Sequence, residues 1–254
     1  MIMVNTWDIA IPELTGSEMR KAYICLPTSY GDDGKKYPVL YMFDGHNVFF
    51  DSHATFGKCW GMKEYMERTG TPLIIVAVEC NHSPDFGRLK EYSPFDFSDP
   101  QFGKITGKGE LTMNWFTNTL KPEIDRKYRT LPSREHTFIA GSSMGGLMSL
   151  YAALEYNHIF SRAGVLSPSL WTNFPEIERL IRTARIKKDT VIYMDYGEEE
   201  LNSHPRLRTL FKRTADMLTD RHILLTSRIV PGGTHCEASW EKQLPFLIHT
   251  LMYQ

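Results

Sequence analysis

Apolar and polar positions alternate in two rhythms along most of this chain. Apolar runs at 37–43 and 72–78 are of the kind found in strands buried on both faces, and further strands are read at 137–140, 163–167, 190–195 and 223–230. Between them the spacing turns helical: around 58–69, at Phe116, Leu120 and Ile124, across 147–154, at Leu207, Leu210, Phe211 and Leu218, and at Trp240, Leu244, Leu247, Ile248 and Leu251. Pro122 is expected to kink or interrupt its helix. Two earlier strands, 4–11 and 19–26, are joined by the turn-rich residues 14–17 and suit an antiparallel pair; the loop at 30–34 follows them. Strands that alternate with helices predict one α/β domain over 1–254, with a mostly parallel central sheet and helices on both faces. Residues 80–109 break the rhythm. They are rich in Pro, Gly, Asp and aromatic residues, and the aromatics make a functional loop the better reading of so long an excursion.

Composition changes this picture little. With 254 residues, 42% hydrophobic and 23% charged, the chain has the make-up of a soluble globular protein with a substantial core. A formal net charge of -1 gives no electrostatic reason to expect nucleic acid or an acidic membrane surface as partner. No apolar run approaches membrane-spanning length, and the first eight residues lack the basic start and apolar middle of a signal peptide, so a full chain is expected to be cytoplasmic. Cys25, Cys59, Cys80 and Cys236 are scattered without C-x-x-C pairing, which suggests neither a disulfide framework nor a zinc site; Cys25 and Cys80, set in apolar runs, read as packing residues.

The candidate chemistry centres on Gly141-Ser142-Ser143-Met144-Gly145. This Gly-x-Ser-x-Gly lies between a predicted strand and a predicted helix, the context of a nucleophile elbow, with Ser143 at the tip. A serine hydroxyl needs a base to take its proton and a carboxylate to hold that base in the right tautomer. Of nine histidines, His235 follows the last strand, on the carboxyl edge of the sheet where Ser143 also emerges. His136 and His222 sit near strand starts, at the other edge, and His158 and His249 on or beside helices. The acid should follow the preceding strand, where Asp195, Glu198, Glu199 and Glu200 cluster; position does not separate them, and a solvated loop is the plain reading of the glutamates. Two N–H donors are needed for the oxyanion. One is that of Met144, after the nucleophile, and the other that of Gly45 or His46, in the turn after the strand at 37–43.

The chain resembles the Putative esterase (esterase D-like) family of α/β-hydrolases. The likeness rests on 37–47 with its Asp44-Gly45-His46-Asn47, on Arg88 and Glu91-Tyr92-Ser93-Pro94, on 140–146, on Leu166-Ser167-Pro168-Ser169-Leu170-Trp171, and on Gly232-Gly233-Thr234-His235. That family includes enterochelin, feruloyl and acetylxylan esterases, S-formylglutathione hydrolases and mycolyltransferases. The resemblance implies Ser143 as nucleophile, His235 as base, Glu200, three residues beyond Gly197, as acid, and the N–H groups of His46 and Met144 as oxyanion donors. It implies a serine carboxylesterase acting on a small-molecule ester, such as an acylated sugar, a feruloyl or acetyl ester or a siderophore ester, with no metal or organic cofactor. An acyltransferase, a thioesterase of the S-formylglutathione type and a noncatalytic binding protein on the same scaffold are the rival readings, and a homo-oligomer is compatible with the sequence. Some two dozen residues between Leu166 and Thr190 are too few for a large lid, so an open site is expected, bordered by loops at 46–58 and 80–109 and by Trp171. Phe49, Phe50, Phe56, Phe86, Tyr92, Phe95, Phe97 and Phe102 are candidates for an aromatic wall.

Overall fold

Strands β1 (Val4–Ala10) and β2 (Met19–Cys25) form the expected antiparallel pair, with a short helix α1 (Pro12–Thr15) in the link. The computed structural model describes residues 2–31 and 34–253. Met1 of the N-terminal segment, Asp32 and Asp33 of the loop at 30–34, and Gln254 lie outside the described residues. The chain continues through β3 (Val39–Met42), α2 (Met62–Thr69) and β4 (Ile74–Val78) into the long excursion. There the structure holds more order than the sequence suggests: α3 (Gly87–Glu91) and a hairpin of β5 (Phe97–Asp99) and β6 (Gly103–Ile105).

Next come α4 (Gly109–Trp115) and α5 (Lys121–Lys127), joined by a π turn at Phe116–Leu120. Pro122 accounts for the turn. It has no N–H to offer Asn118, and the Lys121 N–H reaches back five residues to the Phe116 carbonyl. Phe116, Leu120 and Ile124 are all buried, as their spacing predicts. The remaining elements are β7 (Thr137–Ser142), α6 (Met144–Glu155), β8 (Arg162–Leu166), α7 (Phe174–Thr183), β9 (Val191–Gly197), α8 (Glu198–Ser203), α9 (Pro205–Asp220), β10 (Leu224–Val230), α10 (Glu237–Glu241) and α11 (Leu244–Met252). Pro245 near the start of α11 explains why the single closing helix read from the sequence is divided in two.

The main sheet has eight strands in the order β1-β2-β4-β3-β7-β8-β9-β10. β1, β2 and β4 pair antiparallel, and every pair from β4 to β10 is parallel. Successive strand residues serve opposite faces. Val39, Tyr41, Ile74, Val76 and Ile139 pack with Phe116, Leu147, Ile177 and Leu218 in one core; Leu40, Met42, Ile75, Ala77 and Phe138 pack with Met62, Met66, Trp240 and Leu247 in the other. Both faces are thus covered, as a mostly parallel sheet requires. α6 lies so deep that its residues 144–154 are all buried, and the amphipathic spacing read from the sequence understates this. Among the described residues no helix is long and apolar enough to cross a membrane.

The connections after β3 and after β7 run to opposite sides of the β3–β7 pair, so the carboxyl ends of these two strands open a crevice. The loops after β3, β7, β9 and β10 all end on this edge. It is where the site lies.

Candidate active site

Ser143 joins β7 to α6 with φ 58° and ψ −121°, a backbone conformation that L residues avoid at a cost of about 1–3 kcal/mol. Neighbouring contacts hold it there: the Ser143 N–H donates to the Leu166 carbonyl, and its own carbonyl accepts from Leu147 and Ser169 N–H groups, each at 3.0 Å. Such a reversal needs room, since a Cβ on Gly141 would meet the Gly145 carbonyl carbon at 2.7 Å. The hydroxyl stands half-buried at the N-terminus of α6, a twelve-residue helix whose dipole favours developing negative charge. Its Oγ lies 3.4 Å from Ser169 Oγ. No hydrogen bond between Ser143 Oγ and His235 occurs among the described residues, although both side chains line one cleft; such contacts often tighten only with substrate bound.

The structure does bring His235 and Glu200 together. His235 Nδ1 and Glu200 Oε2 are 2.6 Å apart, across thirty-five residues of chain. Glu200 is 8% exposed, and its other oxygen accepts from Ser167 Oγ at 2.7 Å and from the Gly197 N–H at 2.9 Å. Burial works to raise this carboxyl's pKa, but the hydrogen bond and charge of His235, with the Ser167 and Gly197 bonds, outweigh it and hold the group below its usual range. It is therefore a carboxylate at neutral pH. The glutamates read as a solvated loop in fact open α8, and the first turn of that helix turns Glu200 inward while Glu199 stays exposed. Asp195 is buried one layer below. It accepts from Tyr193 OH at 2.7 Å, and among the described residues it makes no hydrogen bond to His235.

Two supporting residues escaped the sequence reading. Ser167, at φ 40°, passes the Trp240 indole N–H, which donates to its Oγ at 3.1 Å, on to Glu200. Trp240 also meets the His235 ring edge-on at 5.1 Å between centroids. In sequence Trp240 reads only as a core position of the last helix, and Ser167 as the end of a strand.

After β3, Asp44 adopts a left-handed conformation and both its carboxylate oxygens accept from Arg88, Nε and Nη2, at 2.7 Å. Burial is the largest single effect on the Asp44 pKa and works to raise it, but the charge and hydrogen bonds of Arg88, with His46 and Cys80, together outweigh it and hold the carboxyl ionised. Gly45 follows, where a Cβ would strike the backbone of Val78 at 2.8 Å. The backbone N–H groups of His46 and Met144 donate to no protein acceptor among the described residues, which leaves both available to a ligand. Burial, helped by His82 and Arg88 against the pull of Asp44, lowers the His46 pKa and keeps its imidazole neutral.

Two clefts meet at His235. One, of about 420 Å³, is lined by Ser143, His46, Cys80, His82, Arg88 and Glu237. The other, of about 720 Å³, is walled by Phe102, Trp171, Leu207, Arg206 and, from α8, Glu199, Glu200 and Ser203. Phe102 and Trp171 stack at 6.1 Å, tilted by 33°. The aromatic wall of the sequence reading thus divides. Phe102 lines the larger cleft and Phe56 and Phe86 the smaller, while Phe49, Tyr92 and Phe97 are buried as anchors of their loops.

Four similarities bear on this arrangement. The sequence profile of the family described as Putative esterase matches residues 14–249. Among curated proteins, the uncharacterized protein YbbA of Bacillus subtilis is 26% identical over 185 residues, 71% of this chain and 69% of that protein. Esterase Rv1288 of Mycobacterium tuberculosis is 32% identical over 150 residues, which is 58% of this chain but 28% of the mycobacterial protein. Among solved structures, an IroE-like serine hydrolase from Shewanella oneidensis superposes with a TM-score of 0.72 at 20% identity, over 99% of this chain and 79% of that one. At that identity the likeness carries the fold.

Proposed function

The chain belongs to the Putative esterase family and is an ester hydrolase of the α/β-hydrolase fold, and from that premise we propose that Ser143, His235 and Glu200 cleave the carboxylic ester of a small molecule through an acyl-enzyme. The single observation that carries the residue assignment is the 2.6 Å bond from His235 to the buried Glu200 beside a strained Ser143 at the head of α6. In this reading Glu200 holds the Nδ1 proton of His235, which leaves Nε2 as the base. Ser143 Oγ attacks the ester carbon as its proton passes to Nε2, and the carbonyl oxygen takes the negative charge between the N–H groups of His46 and Met144. Collapse of that adduct breaks the bond to the alcohol oxygen, which receives the proton from His235. Water then repeats the sequence, releasing the acid and restoring Ser143.

The two clefts suggest how a substrate divides. Flat, apolar Phe102 and Trp171 suit an aromatic or other ring-bearing group, while the smaller cleft, with Arg88, Glu237 and Thr55, suits a polar one. A ring-bearing ester is therefore the substrate class favoured here.

Fluorophosphonate labelling of the wild type, Ser143→Ala and His235→Ala, alongside p-nitrophenyl acetate hydrolysis, tests the assignment. Labelling of the wild type alone, with kcat in either variant down by at least about 10³-fold, is expected. A Ser143→Ala chain that still labels and turns over would refute it.

A further inference from the structure

His46, Cys80 and His82 come from two loops, after β3 and after β4, yet each offers a ligand atom lying within 4.8 Å of the other two. Cys80 Sγ is 3.9 Å from His82 Nδ1, and the two imidazole rings stand edge to face at 4.8 Å. His46 is 5% exposed. Its Nε2 pairs with Thr55 Oγ1 at 3.1 Å, but its Nδ1 is buried with no hydrogen-bond partner, which leaves a polar atom unpaid for inside the protein. If Nε2 carries the proton and gives it to Thr55, Nδ1 presents a lone pair, and a bond from the outer ring nitrogen to a neighbouring oxygen is the usual support of a metal-bound histidine.

We propose that these three side chains bind a thiophilic divalent cation such as zinc on the wall of the smaller cleft, and that its presence there blocks ester turnover. The donor set selects the ion. Two imidazoles and a thiolate favour a borderline-soft metal over magnesium or calcium, which seek oxygen. Asp44, which also meets the Cys80 thiol, has both oxygens on Arg88, and Asn81 Oδ1 accepts from the Ser83 N–H. Tetrahedral zinc separates its nitrogen and sulfur ligands by about 3.3–3.6 Å, so closure needs roughly an ångström of movement. His82 is exposed and can supply it, whereas His46 and Cys80 are fixed by burial. Coordination replaces the Cys80 thiol proton, which leaves to solvent. The three protein ligands leave a fourth position for water or a substrate oxygen, in the cleft that Ser143 and His235 also line. Inhibition follows from two effects: the ion occupies the polar side of the cleft, and it grips the side chain whose backbone N–H is the proposed oxyanion donor. That second half rests on the esterase mechanism above; the binding does not.

Calorimetric titration with zinc chloride in a non-coordinating buffer tests the site on the full chain, its His82→Ala and its Cys80→Ser forms. One tight equivalent is expected in the wild type, weakened by at least about 10–100-fold in His82→Ala. Cobalt(II) should give a thiolate charge-transfer absorption that Cys80→Ser abolishes. Because His82 is exposed, its variant will fold even if the buried Cys80→Ser does not. Zinc at one equivalent should inhibit p-nitrophenyl acetate hydrolysis by the wild type and spare His82→Ala at the same concentration. Absence of a tight equivalent, or one indifferent to His82→Ala, overturns the site; full occupancy without inhibition overturns its effect on turnover. A wild type that fails to label with fluorophosphonate would count against the esterase mechanism alone, since calorimetry still decides the metal.

Discussion

Two buried carboxylates, Asp195 and Glu200, stand five residues apart and respond oppositely to their surroundings. Burial pushes Asp195 up to about 7, and the nearby Glu200 charge adds to this against the bonds from Tyr193 and the Ser167 N–H. A group whose folded pKa lies above its unfolded one stabilises fully below the unfolded value and loses that contribution as pH rises through the folded value. Glu200, held low, stabilises above the ordinary carboxyl range and loses that effect as pH falls through its folded pKa. Asp195→Asn should therefore remove a decline in stability between about pH 4 and 7, gaining on the order of 4 kcal/mol relative to wild type at pH 8 compared with pH 4. Urea midpoints across that range check it, and parallel wild-type and variant curves would discredit the account. At this scale the sequence is legible only where chain order does the work. Ser143 and His235 stand out because each follows a strand on the same edge, whereas Asp195 and Glu200 both satisfy that rule. What separates them is the direction of one helical turn, which chain order does not encode; only the family resemblance, through the spacing from Gly197, singles out Glu200. Cys80, read as packing, is indeed buried, but its nearness to His46 depends on β3 and β4 being neighbours.

The turns after β9 and β10 must touch for Glu200 to reach His235. Gly197, the last residue of β9, lies against Gly233, and a Cβ there would meet the Gly233 carbonyl oxygen at 2.3 Å and Glu200 Oε1 at 2.9 Å. Its φ of −68° suits any residue, so the demand for glycine is one of space alone. Gly197→Ala should cost about 1–3 kcal/mol by overpacking and lower kcat far more than it raises KM, because it wedges acid and base apart. Measured stability and steady-state constants decide this; an alanine variant with wild-type kcat would mean that the turns can slide. The strands were the most readable elements, since their apolar runs have no competing explanation. The hairpin of β5 and β6 and the helix α3 were not, because three- and five-residue elements show too little period to register. The helix α7 lies between β8 and β9, where the spacing predicts no element, although Phe174, Ile177, Leu180 and Ile181 mark its buried side.

For the molecule as a whole, alternation of strand and helix gave the class, and the antiparallel start was visible too. The strand order was not, because nothing in 80–109 says that the chain crosses over β3 before laying down β7. That excursion is tied back to the sheet by a buried ion pair, with Arg20 Nη1 of β2 2.8 Å from both oxygens of Glu91 on α3. A pair with side chains 3% and 2% exposed cannot lose one member cheaply. Arg20→Ala should destabilise the fold by about 3–5 kcal/mol and expose the 83–106 region to protease before the rest. Cleavage elsewhere first, or a neutral change in stability, would refute that role. The same openness that dispenses with a lid leaves the His235 side chain 47% exposed. Under the proposed cycle the covalent intermediate therefore has no sheltered waiting room: bulk solvent adjoins the group that must activate the acceptor. Acceptors would compete by abundance rather than by admission, and a chain built this way disposes of esters instead of trading their acyl groups.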